Sequence, residues 1–416
     1  MSDAPDAGIA VIGAGAVGIA CALALIERGE KVTVFDPDPP ASGASYGNAG
    51  VISTWSCVPQ ALPGLWRSVP RWLLDPEGPL RVRPSYLPRF VPWALRFLAA
   101  GRPEGLDRIG DAMFALSRPS LDLYRRNLEG TGQEHLVRDS LYVHVGKDRA
   151  ALGLGGASWR MRKARGVPFH VVEGEEVRRI EPALAPSYTT AVVIEGQGRA
   201  MDPGAVGKAL AKKAREKGAR FHRRAVDRLQ RHEGGWALGA GGESFQARLV
   251  VLAAGVWSLR LLETLGVRLP LEAERGYHCV LANPGVTLNN SIMDMTGKFV
   301  ASSMAMGVRC AGTAEFAGID AAPDMRRATV LARQAKRLFP DINIEEPDYW
   351  MGRRPSFPDS LPAIGPVPGQ PGLIAAFGHA HYGFGMAPAT GEIVAGMATG
   401  QPSNVDVAPY AVERFA

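Results

Sequence analysis

Three glycines in the run Gly13-Ala14-Gly15-Ala16-Val17-Gly18, with a carboxylate further on at Asp36, are the residue types that hold an adenine dinucleotide. Gly13 permits a tight turn, Gly15 lets backbone approach a pyrophosphate, and Gly18 lets the following helix lie close against the strand before it. Amides at the start of that helix, Ala16 and Val17, suit phosphate oxygens because a helix N-terminus carries unfilled N–H groups and partial positive charge. Asp36 can accept hydrogen bonds from both hydroxyls of an adenosine ribose. An acid there disfavours a 2′-phosphorylated cofactor and leaves FAD or NAD. Three other clusters could do chemistry: Arg353-Arg354-Pro355, Arg275-Gly276-Tyr277-His278 and Gly378-His379-Ala380-His381-Tyr382.

Elements of the right kind and order surround the glycines, which a chance glycine-rich turn would lack. Gly8–Ile12 reads as a short buried strand, Ile19–Arg28 as a helix ended by Gly29, and Lys31–Phe35 as a second strand closed by Asp36. This is the sequence of a Rossmann unit. The next stretch, Ser42-Gly43-Ala44-Ser45-Tyr46-Gly47-Asn48-Ala49-Gly50, is small and hydroxyl-rich, where an NAD domain would proceed to another helix and strand. A flexible surface loop would also have this composition, but the position suits an extended cofactor whose second half continues past the first unit.

That loop resembles the one after the second strand in the D-amino-acid oxidase/dehydrogenase superfamily, especially its bacterial D-amino-acid dehydrogenase branch. Further resemblances run along about nine-tenths of the chain, weakest between Cys57 and Leu136. They are Ala225-Val226, Leu249–Ser258 (LVVLAAGVWS), Arg309–Gly318 (RCAGTAEFAG), Trp350–Pro355, Pro358–Pro362, Gly365 and Gly378–Gly385, with Thr390-Gly391 opening a last helix. The resemblance implies that Ser45, Asn48, Gly50 and Val51 lie along the FAD pyrophosphate and flavin, and that Val226 meets adenine. It implies that Ala254, Gly255 and Trp257 belong to a turn approaching FAD. Gly378, His381, Gly383 and Gly385 would close over the flavin. No second GxGxxG exists; Gly153-Leu154-Gly155 comes nearest, with Ser158 in place of the third glycine. A flavoenzyme reduced by NAD(P)H would ordinarily need that second unit, so its absence favours a substrate that reduces the flavin directly.

The expected fold class is α/β: a Rossmann-type FAD-binding domain assembled from separated segments, with a mixed-sheet α+β substrate domain. Residues 1–56, 195–262 and 350–400 are assigned to the first. Residues 57–194 and 263–349 are assigned to the second, with an inserted helical segment at 59–130, and 401–416 to a C-terminal tail. Leu141–Val145 and Tyr277–Leu281 read as strands, and Ala328–Phe339 as a helix.

Flavin can take a hydride from the α-carbon of an amino acid, leaving an imine for water to hydrolyse. The protein must then grip the carboxylate, keep the amine neutral and exclude water. Arg354 is the candidate for the carboxylate. Its guanidinium forms a planar fork that lysine cannot match, and Pro355 favours an extended backbone at Arg354. Arg353, one residue out of register, is expected to face solvent. The resemblance implies that Tyr277 lines the pocket, which alternation would turn His278 away from; relatives often carry lysine where Arg275 stands. His379 and His381 could stabilise reduced flavin or take a proton from the substrate ammonium, or merely shape their loop. Tyr382 is a further candidate for touching substrate. Flavin attachment is expected to be non-covalent, and no metal-ligand spacing stands out.

Composition bounds the remainder. Across 416 residues, 46% hydrophobic and 21% charged content are ordinary for a soluble globular protein. The net charge of +6 is dispersed, which argues against a nucleic-acid partner. Four cysteines, none in CxxC spacing, suit a reducing cytosol, and the acidic opening Met1–Ala7 argues against a secretory signal. Pro59–Ala100 mixes prolines, Trp66, Trp72, Trp93 and six arginines. It reads either as short helices covering the flavin domain, as a homo-oligomer contact, or as a peripheral membrane surface on the inner face of the cell membrane, where a quinone or respiratory chain takes the electrons. The expected activity is FAD-dependent dehydrogenation of a D-amino acid, on the D-proline or hydroxy-D-proline side of the branch. The rivals are a sarcosine- or glycine-type oxidase using oxygen, and a non-catalytic flavin-binding subunit of a larger complex.

Overall fold

A computed structural model of the chain describes residues 6–415. Most of the acidic opening and the last residue of the C-terminal tail lie outside the described residues.

The strands Ile9–Ile12 and Val32–Phe35 are buried along their whole length, as continuous apolar runs must be when a parallel sheet is covered on both faces. They sit in a six-stranded sheet ordered Ala363–Val367, Gln370–Phe377, Leu249–Leu252, Ile9–Ile12, Val32–Phe35 and Arg220–His222. All neighbours run parallel except the first pair. Helices Ala16–Ile26, Pro203–Glu216 and Gly383–Ala398 cover one face. A three-stranded antiparallel sheet, Val226–His232, Gly235–Ala240 and Glu243–Ala247, packs Trp236 and Leu238 against the other. Small residues set the spacing. A Cβ on Gly18 would fall 1.9 Å from the Gly13 carbonyl oxygen, and one on Gly391 would fall 2.6 Å from the Ala20 backbone. The last helix therefore begins at Gly383, and Thr390-Gly391 lies inside it, where Gly391 admits the close helix–helix contact.

The second sheet is ordered Asp348–Ser356, Glu272–Leu281, Gly307–Phe316, Phe299–Met304, Ser291–Asp294, Val137–Gly146, Thr190–Ala200 and Val51–Ile52. Leu80–Val82 and Phe169–Glu173 pair alongside. Helix Arg326–Leu338 buries Ala328, Leu331, Ala332, Ala335 and Leu338 against one face, the i, i+3, i+4, i+7 stripe of an amphipathic helix. The sequence-based boundaries at 195 and 350 cut through two of these strands. Thr190–Ala200 and Asp348–Ser356 continue without a break because backbone pairing, not the family motif, sets where they end.

The proline-rich segment forms helices Val69–Leu74, Leu87–Ala100, Pro103–Ser117 and Ser120–Leu128, the last two packed on the helix layer of the first sheet. Helix Leu87–Ala100 turns Phe90 and Trp93 inward against Phe316, with Phe97 stacked on Trp93, and the Trp93 indole donates to the Ser356 carbonyl at 3.1 Å. Its other side leaves Leu87, Val91, Leu95 and Leu98 exposed. Among the described residues, no helix is long and apolar enough to cross a membrane.

Candidate active site

A cavity of about 1250 Å³ runs from the glycine loop of the first sheet to the near face of the second. That exceeds the usual range for a single small ligand and leaves room for a dinucleotide and a substrate together. Gly13 has φ +109, and a Cβ there would lie 2.4 Å from the Ala253 carbonyl oxygen, so only glycine makes this turn. At Gly15 a Cβ would meet only the Ser45 hydroxyl, at 3.4 Å, so its backbone faces open space. Ser45 Oγ in turn accepts from the Ala16 amide at 2.8 Å. Asp36 lines the cavity, accepting from the Ala14 amide at 2.6 Å and the Asp38 amide at 2.9 Å. Burial pushes its carboxyl up, against these two bonds. A glycine cradle, a helix whose N-cap residue is the bare Gly15, and an acid at the next strand end fit an adenine dinucleotide.

Ala16, Val17, Ser45, Asn48, Val51, Val226, Ala254, Gly255, Trp257, Gly378, His381, Gly383 and Gly385 all border the same cavity. Two expected cofactor residues do not. Gly18 is enclosed between helix and turn. Gly50, at φ +79, would place a Cβ 2.8 Å from the Ala200 carbonyl oxygen, so it serves the chain's entry into the second sheet. The loop between them is held from behind by a residue that sequence reasoning missed. Arg309 is buried and donates to the Tyr46 and Asn48 carbonyls at 2.7 and 2.9 Å.

On the sheet side the central group is Glu274, also missed from sequence. Its carboxylate accepts from Arg354 Nη1 at 3.0 Å, Ser356 Oγ at 3.0 Å and His381 Nε2. Burial opposes its ionisation, but His381, Arg354 and Ser356 together outweigh it and hold the carboxyl down at about 2. Arg354 Nη1 donates as well to the Thr313 carbonyl at 3.1 Å. A bulge places that carbonyl. Arg275 pairs with Glu315 and Tyr277 with Gly312, leaving Thr313 and Ala314 opposite Gly276. Thr313 takes φ +60, a strained conformation for a β-branched residue. The Arg354 guanidinium lies directly over Gly276, where a Cβ would fall 2.1 Å from its central carbon.

Several candidates stand elsewhere than expected. Tyr277 borders the cavity, but its side chain packs in the cluster beneath helix Arg326–Leu338, and its hydroxyl donates to Glu315 while accepting from the Asp324 amide at 3.0 Å. The strand does alternate, but with Glu274 and Gly276 toward the cavity. Arg275 shares the Tyr277 side, fully buried, paired to Glu315 at 3.2 Å and clear of the cavity. His278 does not line the cavity either. It stacks on Trp350 at 5.0 Å and sits 3.2 Å from the Gly47 carbonyl, supporting the loop. Burial, helped by Arg309, pushes its pKa down to about 3. His379 lines the cavity but is buried, with Nε2 2.9 Å from Thr390 Oγ1, and burial takes its pKa to about 3. A ring so hard to protonate is no general base for an ammonium at neutral pH. Tyr382 borders the cavity and donates to the Val58 carbonyl at 2.8 Å. Arg353 reaches the rim of the cavity rather than open solvent, donating to the Ile319 carbonyl at 2.7 Å with its guanidinium over Trp257.

A dinucleotide cradle opening onto an arginine-bearing sheet defines a flavin-dependent oxidoreductase. The chain belongs to the family described as "FAD dependent oxidoreductase", whose model matches residues 8–397. It is 38% identical to a D-amino-acid oxidase of Bradyrhizobium diazoefficiens over 98% of both chains. It is 31% identical to a D-amino acid dehydrogenase of Xanthobacter autotrophicus, over 98% of this chain and 99% of the other. Among solved structures, glycine oxidase from Geobacillus kaustophilus superposes with a TM-score of 0.75 over 98% of both chains at 23% identity, a likeness of fold.

Proposed function

We propose that the protein dehydrogenates a D-amino acid at its α-carbon, with the product imine released to hydrolysis. When bound, non-covalently, FAD supplies the hydride acceptor at its N5 position. The observation that carries this reading is Arg354, a guanidinium at the cavity wall, fixed by Glu274 and the Thr313 carbonyl at one nitrogen. Its remaining donors are free to grip the substrate carboxylate, orienting the α-carbon hydrogen toward the cofactor. His381, half-exposed and joined to Glu274, is the ring that can hold the proton lost by the substrate ammonium. The inward aromatic side of helix Leu87–Ala100, with Trp93 and Phe97, keeps water out. The similarity to relatives named for D-amino acids supports the configuration. The segments read as 1–56, 195–262 and 350–400 would hold the cofactor, and the intervening ones the substrate.

The test is anaerobic bleaching of the bound flavin against a panel of D- and L-amino acids. D-proline and hydroxy-D-proline are included because the Arg-Gly-Tyr-His and Trp-Met-Gly-x-Arg-Pro-Ser segments resemble that side of the branch. Arg354→Ala should raise the half-saturating substrate concentration about 100-fold or more while changing flavin retention little. Equal loss of both would show that Arg354 serves the cofactor.

For the electron acceptor the reading is a membrane quinone rather than oxygen, supported by the exposed face of helix Leu87–Ala100. Leu95 is 63% and Leu74 83% exposed, and Arg67, Arg71, Arg89 and Arg96 lie in the same segment. Exposed leucines on a segment that also carries these arginines suit an anionic lipid interface. Slow reoxidation of the reduced protein in air, and flotation with anionic vesicles but not zwitterionic ones, are the expected results. Fast reoxidation would favour an oxidase.

A further inference from the structure

Away from Glu274 and Arg354, the cavity has a second cationic region. Arg162, on helix Ala157–Ala164, lines it. Its one hydrogen bond is long, 3.4 Å from Nη1 to the Ser158 carbonyl. The charged or titrating groups that influence it are Cys57, Tyr142 and Tyr382, with no carboxylate among them. The guanidinium lies 4.7 Å over the Trp159 ring, and that indole is fixed by its own bond to the Leu152 carbonyl at 2.8 Å. Arg162 is thus held in place with most of its donors unfilled.

A second observation points to a ligand at the same spot. His144 also lines the cavity, is only 5% exposed, and has no hydrogen-bond partner at either ring nitrogen. Its ring is wedged between Tyr142, at 4.6 Å, and Trp159, at 5.5 Å. Lys298 lines the cavity as well, at φ +56. Burial first, then Arg162 and Lys298, hold the His144 ring neutral, so it retains one N–H donor. A half-buried cation with most of its donors open to the cavity, beside a buried imidazole without a partner, is costly to leave so unless an anion fills the space. The stacking of Arg162 on Trp159 offsets part of that cost and leaves the hydrogen bonds unmade.

We propose that Arg162, His144 and Lys298 form a second carboxylate subsite, and that the substrate is an amino acid with an acidic side chain. The proposal rests on the reading that Arg354 holds the α-carboxylate. Arg162, His144, Tyr382, Glu274 and Arg354 all line one cavity, so the two anion sites open onto the same space. D-Glutamate and D-aspartate have the required second carboxylate; D-proline does not.

The experiment measures anaerobic bleaching of the holoenzyme with D-glutamate and D-aspartate, each against its amide, D-glutamine and D-asparagine, and against D-proline. The half-saturating concentration of the acid should be lower than that of its amide by about 100-fold. Arg162→Met should narrow that ratio to under about 3-fold with flavin retained, and Arg162→Lys should restore part of it. Equal use of acid and amide by the unaltered protein overturns the subsite without any variant. So does an Arg162→Met protein that loses all substrates alike, which would make Arg162 the α-carboxylate holder, or one that sheds its flavin, which would make it a cofactor contact. Silence of every amino acid overturns the amino-acid reading itself and the subsite with it, an outcome distinct from indifference to side-chain charge.

Discussion

The dinucleotide half of the molecule and the sheet that faces it are built on different scales of sequence. In the first, the polar contacts that shape the glycine loop join near neighbours along the chain. The Ala14 amide and Asp36 are 22 positions apart, and Ala16 and Ser45 are 29 apart. In the second, Glu274 meets Arg354 across 80 positions and His381 across 107. The first half works through backbone amides and the absence of Cβ atoms, so its rules are steric and local. The second works through charge held out of water, where strand register decides which side chains meet. Damage to the two halves should therefore separate into different measurable losses, cofactor retention on one side and charge balance on the other.

The largest expected effect tests the charged half. Glu274→Gln removes the carboxylate that pairs with Arg354 and is hydrogen-bonded to His381, leaving a partly buried guanidinium without its counter-ion. Breaking such a pair costs about 3–5 kcal/mol; Arg354 retains some solvent contact, so the lower end is expected. The pH dependence carries the sharper test. The Glu274 carboxyl is held at about 2, below its ordinary 4.5. A depressed acid stabilises the fold fully above its unfolded value, and that stabilisation is lost as pH falls through the folded value. The gap in urea midpoint between wild type and Glu274→Gln should stay constant from pH 8 to about 5.5 and close between about 4.5 and 2. A gap undiminished at pH 3 would mean that Glu274 acts by shape rather than charge.

The steric half is challenged by Gly18→Ala. The new Cβ would sit 1.9 Å from a backbone oxygen that cannot step aside, so an overpacking cost of about 1–3 kcal/mol is expected, together with loss of flavin on dialysis. Gly15→Ala supplies the contrast, since its Cβ would meet only Ser45 Oγ at 3.4 Å. It should fold normally and still retain flavin poorly, because the methyl group occupies the space needed for close approach of a phosphate. Normal flavin retention in Gly15→Ala would place the pyrophosphate elsewhere.

The same contrast explains what could be read before the structure. The glycine loop, Asp36 and the two parallel strands follow from spacing over a few dozen residues, and the apolar stripe of Arg326–Leu338 follows from helical period. Arg354 was legible as a guanidinium before proline in a matching motif. Its partner Glu274 was not, because the sequence does not reveal that Glu274 and Arg354 are register partners across two antiparallel strands. Tyr277 borders the cavity and His278 stays out of it, as expected, but the sequence does not show that the Tyr277 hydroxyl is taken up by Glu315 and the Asp324 amide. Alternation states that neighbours face opposite ways, but not which side holds the cavity, and the bulge at Thr313 alters the pairing at that point. His379 could be found as a cavity residue, whereas its burial, which disables it as a base, depends on the packing of the last helix. Arg162 and His144 carried no motif at all; the nearest signal was an arginine on a helix beside tryptophan.

Gly276→Ala probes the join between the two kinds of rule, a steric change made in the charged half. Gly276 has no left-handed φ to explain it, so conformational freedom does not account for this glycine. Space does. Its Cβ would lie 2.1 Å from the Arg354 guanidinium carbon, and that group is the far end of a flexible side chain, so the arginine moves and the strand stays. Fold stability should change by less than about 1.5 kcal/mol, since the guanidinium remains near Glu274. Displacement of about an ångström from the geometry that holds the substrate should nonetheless raise the half-saturating concentration for flavin bleaching by about 10- to 50-fold, with flavin retention unchanged. The double variant Gly276→Ala/Arg354→Ala should then be little worse than Arg354→Ala alone, because residues in contact are not additive. Full additivity would mean that Gly276 meets the substrate itself rather than acting through the arginine above it.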